Sequence, residues 1–272
     1  MDRPAQSRAS SYIAPLSARE RTLLAGWERA RKTRLTRAEL VAQWGPSVAS
    51  DIAKELVRKG VLKRLAAGIY WIIPMRAHAR PMALSAPLAV AAILEEEPHY
   101  LGGLWAFTHH HLTEQLYTSV IDAFVAKRRR LSKNLANAQI RFHVIPSSAL
   151  TAGTETADFE GNRIAVSSPE RTLLDALDYP DAVGGLRAGL NMVTTALSKV
   201  DTTKLVRLAA SHSRVSTCQR LGVLLERAGV PGRTLAPLRK RLGESRSVTS
   251  MQPDSPRRGH VNKKWRVVEN DQ

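Results

Sequence analysis

VLKRLAAGIYWIIP, residues 61–74, reads as two short strands, Val61 to Leu65 and Ile69 to Ile73, folded about a tip where Gly68 takes the left-handed conformation. Three helical stretches precede it. In the first, Leu16 and Ser17 open the helix, Ser17 and Glu20 are spaced as a capping box, and Leu23, Leu24 and Trp27 form the apolar face up to about Lys32. The second starts at Thr36, with Glu39 three residues on and Leu40, Val41 and Trp44 on its buried side, and stops at Gly45 and Pro46. The third runs from Pro46 to Lys59; Val48, Ile52, Leu56 and Val57 are expected to face inward, with Ser47, Ser50, Lys54 and Arg58 opposite and Gly60 at the C-terminal cap. Three helices and a hairpin in about sixty residues give the element order of a winged helix-turn-helix. The expected fold class is α+β, an N-terminal winged helix-turn-helix followed by a larger mixed α/β C-terminal domain.

That order assigns roles. Tyr70, Trp71 and the neighbouring aliphatics are expected to pin the hairpin to the helices, with base stacking the competing role of the aromatics, whereas Lys63 and Arg64 on the wing meet phosphates and position the protein without reading sequence. Ser47, Ser50 and Lys54 lie toward the N-terminal half of the third helix, the part that enters a major groove, with Arg58 farther along at the backbone. An ordinary solvated helix face, or a winged helix that binds protein, fits the same pattern.

Charge supports the nucleic-acid reading. The chain has 272 residues with 41 Lys and Arg against 24 Asp and Glu, a formal net charge of +17. Residues 1–80 hold 16 basic and 6 acidic side chains, residues 81–180 hold 8 and 11, and residues 181–272 hold 17 and 7. A basic head and tail thus flank a near-neutral middle, and such ends attract polyanions by counterion release. Solubility is the competing use of that charge. The single cysteine, Cys218, cannot form an internal disulfide, which fits a reduced, cytoplasmic protein. No apolar leader segment and no run of about 18 uncharged apolar residues is present, so neither secretion nor a membrane partner is expected.

Residues 1–16 read as a flexible arm, 17–75 as the winged helix, 76–87 as a proline-punctuated linker and 88–272 as the second domain. Helices are expected at Leu88 to Glu97 and between Leu104 and Leu112, strands at Thr118 to Ala126, Gln139 to Ile145 and Arg163 to Val166, and helices near 169–178, 185–199, 201–211 and 215–229. SSPERTLLDALDYP at 167–180 is the clearest helix start: Ser168 caps, Pro169 suits the first position, and Glu170 complements the dipole. Arg171 and Asp175, four apart, are expected as a surface pair worth about 0.3 to 0.5 kcal/mol.

Little in the chain promises catalysis. His109, His110 and His111 point about 100° apart on a helix and cannot converge on one ion. No lysine has Asp or Glu two places before it, so Asp122 lacks the partners of a metal-dependent nuclease. The glycine pairs at 102–103 and 184–185 match no nucleotide-binding fingerprint, and Cys218 lacks a base and reads as a small buried hydrophobe. No catalytic residue, metal or cofactor is therefore expected.

The ordered set YLGGLWAFTHHHLTEQ (100–115), the 118–126 strand, SSPERTLLDALDYPDAVGG (167–185), QRLGVLLERAGV (219–230) and KKWRVVEN (263–270) resembles the AbiEi family of antitoxins, and the head ending in GIYWIIP resembles that family's N-terminal winged helix. The resemblance implies an antitoxin of a type IV toxin-antitoxin system with a phage-defence role. Its partners would be a nucleotidyltransferase-like toxin, which the C-terminal domain neutralises, and inverted repeats in its own promoter DNA, which the head binds to repress the operon. Carried over by position, the DNA contacts are Arg37, Ser47, Ser50, Lys54, Arg58, Lys63 and Arg64. The wing tip, Ala66-Ala67-Gly68, departs from the family pattern in having no basic side chain, which leaves a minor-groove contact without a donor. Residues 231–262 would pass on composition for a disordered basic tail that meets DNA or an acidic partner, but the terminal match implies a closing strand near Trp265 to Val268. The alternative is a conventional winged-helix regulator with a ligand-sensing C-terminal domain.

Overall fold

The computed structural model describes residues 16–75, 84–127, 134–243 and 245–271. The expected arm, apart from Leu16, and most of the expected linker lie outside the described residues. The chain divides into two units, Met1–Ser85 and Ala86–Gln272.

The first unit holds α1 (Ala18–Arg29), β1 (Arg34–Thr36), α2 (Arg37–Trp44), α3 (Pro46–Arg58), β2 (Leu62–Ala66) and β3 (Ile69–Ile72). Both expected capping boxes form. Ser17 accepts from the Glu20 amide while Glu20 accepts from the Ser17 amide, and Thr36 and Glu39 repeat the exchange. Gly45, at φ +80°, turns the chain between α2 and α3, and Gly68, at φ +72°, forms the hairpin tip. β1 was not expected. It pairs antiparallel with β3, giving the order β1-β3-β2, because Leu35 is buried and the Ile72 amide donates to the Thr33 carbonyl at 2.8 Å. A three-residue strand carries too little alternation to stand out.

The buried face of α3 corrects the expectation. Ala49, Ala53 and Leu56 are buried, Ile52 is half-buried, and Val48 and Val57 are 47% and 36% exposed. Gly45 alone separates α2 from α3, and alanines at the contact let two helices approach closely; larger valines are turned outward by about one residue's rotation. Leu24, Trp27, Leu35, Leu40, Val61, Leu62 and Ile72 complete this core, with Tyr70 packed against it.

The second unit begins with α4 (Ala86–Leu94), β4 (His99–Gly102) and α5 (Gly103–His109). β5 (Val120–Val125), β6 (Asn134–Leu135), β7 (Ala138–Val144), β8 (Thr154–Phe159) and β9 (Asn162–Ser167) follow. They form one mixed sheet, β6-β7-β5-β4-β9-β8, in which β4 lies antiparallel to β5 and parallel to β9. The three strands foreseen correspond to β5, β7 and β9. The interior strand β4 escaped notice because its four residues run straight into a helix.

Four helices come next, α6 (Pro169–Asp178), α7 (Leu186–Ala196), α8 (Thr202–His212) and α9 (Val215–Arg227), each close to its expected span. Within the basic segment, α10 (Ala236–Leu242) forms, anchored by buried Leu238 and Leu242. A small sheet, β10 (Thr249–Ser250), β12 (Val267–Glu269) and β11 (His260–Asn262) in that order, ends the described chain. The closing strand therefore starts at Val267, and Trp265 lies in the turn before it. Trp265 is fully buried and donates from Nε1 to Glu226 at 2.7 Å. Its ring occupies the space above Gly222 on α9, where a Cβ would stand 2.2 Å from Trp265 Cε3.

Replacing Gly222 by Ala should therefore cost about 1 to 3 kcal/mol by overpacking, and Trp265→Ala about 3 to 5 kcal/mol by leaving a cavity. Urea unfolding of the two variants measures both.

Candidate nucleic-acid interface and a buried polar network

Capping and burial decide what α3 presents. With Ala49, Ala53 and Leu56 inward, the opposite side carries Ser47, Asp51, Lys54 and Arg58, all exposed, with Ser50 half-buried at its edge. Lys54 and Arg58 are not bare cations. Lys54 Nζ lies 3.2 Å from Asp51 Oδ1, and Arg58 donates to Glu55 through Nε at 2.8 Å and Nη2 at 2.5 Å. Those bonds from Arg58, opposed by burial and helped by Lys59, hold the Glu55 carboxyl down at about 2. Sequence reasoning passed over Asp51 and Glu55, although an acid three residues before each base was the visible signal.

Lys59 serves structure instead. Its ammonium bonds both oxygens of Glu20 at 2.8 Å and so ties the end of α3 to the start of α1. Burial pushes the Glu20 carboxyl up, but hydrogen bonds from Lys59 and Ser17 leave it below its ordinary value.

Lys63 and Arg64 are both exposed on β2, although neighbours on a regular strand face opposite ways. A register shift between Arg64 and Ala66 accompanies this, and Arg64 Nε points to the Ala66 carbonyl at 3.4 Å. Arg37 is exposed at the first turn of α2, and its amide donates to the Gly68 carbonyl at 2.7 Å. The hairpin tip thus sits at the N-terminus of α2. α3 packs against β2, so four of the foreseen positions share the α3 side or its edge, two lie on β2 and one lies beneath the tip.

In the second unit, the expected surface pair is a buried one. Arg171 is 5% exposed and Asp175 1%, and Arg171 Nε donates to Asp175 Oδ1 at 2.7 Å. Nη1 donates to the carbonyls of Ala149 and Ala152, and Nη2 to the Tyr100 hydroxyl, which itself donates to Asp175 Oδ2 at 2.9 Å. Burial pushes the Asp175 carboxyl up, and Arg171 and Tyr100 oppose that push without cancelling it. Helical spacing predicted the pair but not that the sheet and the 149–152 loop would close over it.

Asp122, fully buried, accepts from Arg141 Nη2 at 2.7 Å and stands 2.6 Å from His143 Nε2. Gly103, at φ +62°, passes so close that a Cβ would lie 2.3 Å from Asp122 Oδ2. The adjacent histidines go to separate partners. His109 stacks on Trp105 at 5.0 Å, His110 Nε2 meets the Ser167 carbonyl at 2.6 Å, and His111 takes a left-handed conformation, φ +55°. Among the described residues no group of three or more His, Cys, Asp or Glu could hold a metal ion, and no helix is long and apolar enough to cross a membrane. Cys218 is buried, its thiol donates to the Ala209 carbonyl at 3.3 Å, and burial pushes that thiol up to about 12.

Residues 100–227, from β4 through α9, match the family model of the AbiEi antitoxin C-terminal domain. The crystal structure of the RV2827C protein from Mycobacterium tuberculosis superimposes with a TM-score of 0.66 and 18% identity, over 96% of this chain and 94% of that chain. At that identity the likeness shows the fold. No protein of curated function matches the chain.

Two outcomes check the buried groups. Arg171→Met leaves Asp175 without its counter-charge and should cost about 3 to 5 kcal/mol in denaturant unfolding. Cys218 should resist a thiol-specific disulfide reagent at pH 8 in the folded protein and react promptly once the chain is unfolded.

Proposed function

We propose that this chain, whose residues 100–227 form an AbiEi antitoxin C-terminal domain, is the antitoxin of a toxin-antitoxin pair that also represses its own operon by binding promoter DNA. The first unit would act as a winged helix, with α3 in the major groove and the β2–β3 hairpin as the wing. The arrangement of cations supports this reading. Lys54 and Arg58 share the exposed side of α3, Lys63 and Arg64 are exposed on the strand packed beside it, and Arg37 stands under the hairpin tip. Ser47 and Ser50 would join them at the N-terminal half of α3.

The toxin in this reading is a nucleotidyltransferase-like protein, and the second unit, a binding protein rather than an enzyme, neutralises it. The two tasks draw on different residues. DNA contacts come from exposed side chains of the first unit, whereas neutralisation falls to the second unit, where the buried Arg171 is tied to Asp175 and Tyr100.

Binding of the full chain to its promoter should weaken steeply with salt. Four neutralised phosphates, one for each of Arg37, Arg58, Lys63 and Arg64, would give a log-log slope of about −3.6 and a loss of roughly 10²-fold between 50 and 200 mM. A slope near zero contradicts the reading. Reversing charge at Lys54 and Arg58 in the full chain should abolish repression of a promoter reporter and leave rescue of growth from the co-expressed toxin intact. Loss of rescue in a variant that still folds would tie the two tasks together.

A further inference from the structure

Asp51, an acid on the exposed α3 face, is not accounted for by phosphate binding. Asp51 stands between Ser47 and Lys54 on the side opposite the buried alanines, and its side chain is 77% exposed. A carboxylate there repels phosphates and would weaken binding unless it meets a hydrogen-bond donor. In a major groove the bases supply such donors only as the amino groups of cytosine and adenine.

Resting on the DNA-binding reading above, we infer that Asp51 and Lys54 act together to read one C·G base pair in the major groove. The spacing carries the inference. Lys54 Nζ and Asp51 Oδ1 are 3.2 Å apart. Cytosine N4 and guanine O6, joined by their Watson–Crick hydrogen bond, are about 2.9 Å apart. The acceptor and donor of the side-chain pair thus match the donor and acceptor that the base pair shows side by side. Lysine has three N–H donors, so Lys54 keeps its bond to Asp51 while reaching O6 and N7 of guanine.

An A·T pair also sets a donor beside an acceptor, but its flanks are wrong. Adenine N7, an acceptor, would lie next to the Asp51 carboxylate, and the thymine methyl would lie next to the Lys54 ammonium. With C·G the carboxylate is flanked by a cytosine C–H and the ammonium by a second acceptor. The second pair on the helix, Glu55 with Arg58, does not have this freedom, since Glu55 is also held by Lys59 at 3.3 Å.

The test is selection from a random duplex pool with the full-length wild type, Asp51→Ala and Asp51→Asn, followed by titration on the enriched duplex and its single-pair variants. Thermal unfolding is measured alongside, and the exposed position predicts unchanged midpoints. The wild type should enrich C·G at one position of each half-site. Asp51→Ala should relax that position alone and lose about tenfold affinity for the enriched duplex. Asp51→Asn should shift the preference there to A·T, because an amide pairs with adenine N6 and N7. Uniformly tighter binding of every duplex by Asp51→Ala would show simple repulsion and overturn the inference, as would an Asp51→Asn profile equal to wild type. Duplex binding by the wild type without any sequence preference overturns it too. Failure of the wild type to bind any duplex removes the DNA-binding reading itself.

Discussion

A guanidinium cannot be taken out of water unless its N–H groups and its charge find partners, and Arg171 meets that demand with parts from across the second unit. Asp175 on its own helix gives the counter-charge, Tyr100 on an interior strand gives a hydroxyl, and Ala149 and Ala152 give backbone carbonyls. The partners come from three stretches of chain, the helix itself, the strand that carries Tyr100 and the 149–152 loop, so the bonds form only when α6 lies against the sheet in one position. Apolar burial of Leu173, Leu174 and Leu177 favours docking the helix, but non-directional contacts tolerate small slides. The polar set does not, because moving one partner leaves a buried charge unmet. The segment from β4 to α9 that matches the antitoxin family contains both Arg171 and Asp175 together with Tyr100.

The first unit uses its charges differently. Lys59 and Glu20 join α3 to α1, and Lys54 and Arg58 lean on acids one turn away. The four ions Asp51, Lys54, Glu55 and Arg58, of which Glu55 is half-buried, sum to zero, so α3 by itself is no polycation. In the proposed complex the long-range attraction would come from Arg37, Lys63 and Arg64, which have no carboxylate partner among the described residues, and α3 would contribute a pattern of donors and acceptors. Attraction and discrimination would then rest on separate elements, as they must where phosphates are the same in every sequence and only base edges differ.

The errors of sequence reading have a common source. Hydrophobicity ranks valine above alanine and so points Val48 inward, whereas a one-residue turn between two helices rewards the smaller side chain and buries Ala49 and Ala53. Helical spacing shows that Arg171 and Asp175 meet and not what covers them, so their burial is invisible in it. The basic stretch after residue 231 resembled a tail because its charge is dense, yet Leu235, Leu238 and Leu242 give it a buried side and Trp265 packs into the notch left by Gly222. β1 and β4 are short, and their strand character comes from partners far along the chain.

The sequence by itself determined what depends on neighbours: both capping boxes, the glycine turns at 45 and 68, the helix that starts at Ser168, the helical spans that follow, and the mixed α+β class. Local backbone sterics and side-chain to backbone bonds act over three or four residues, so the order of letters suffices for them. Tertiary structure alone decided which side of α3 is buried, that the Arg171–Asp175 pair is interior, that β4 lies within the sheet, and that Trp265 closes over α9. Those outcomes turn on which surfaces exclude water from one another, and that is set by segments distant in sequence whose approach no local pattern encodes.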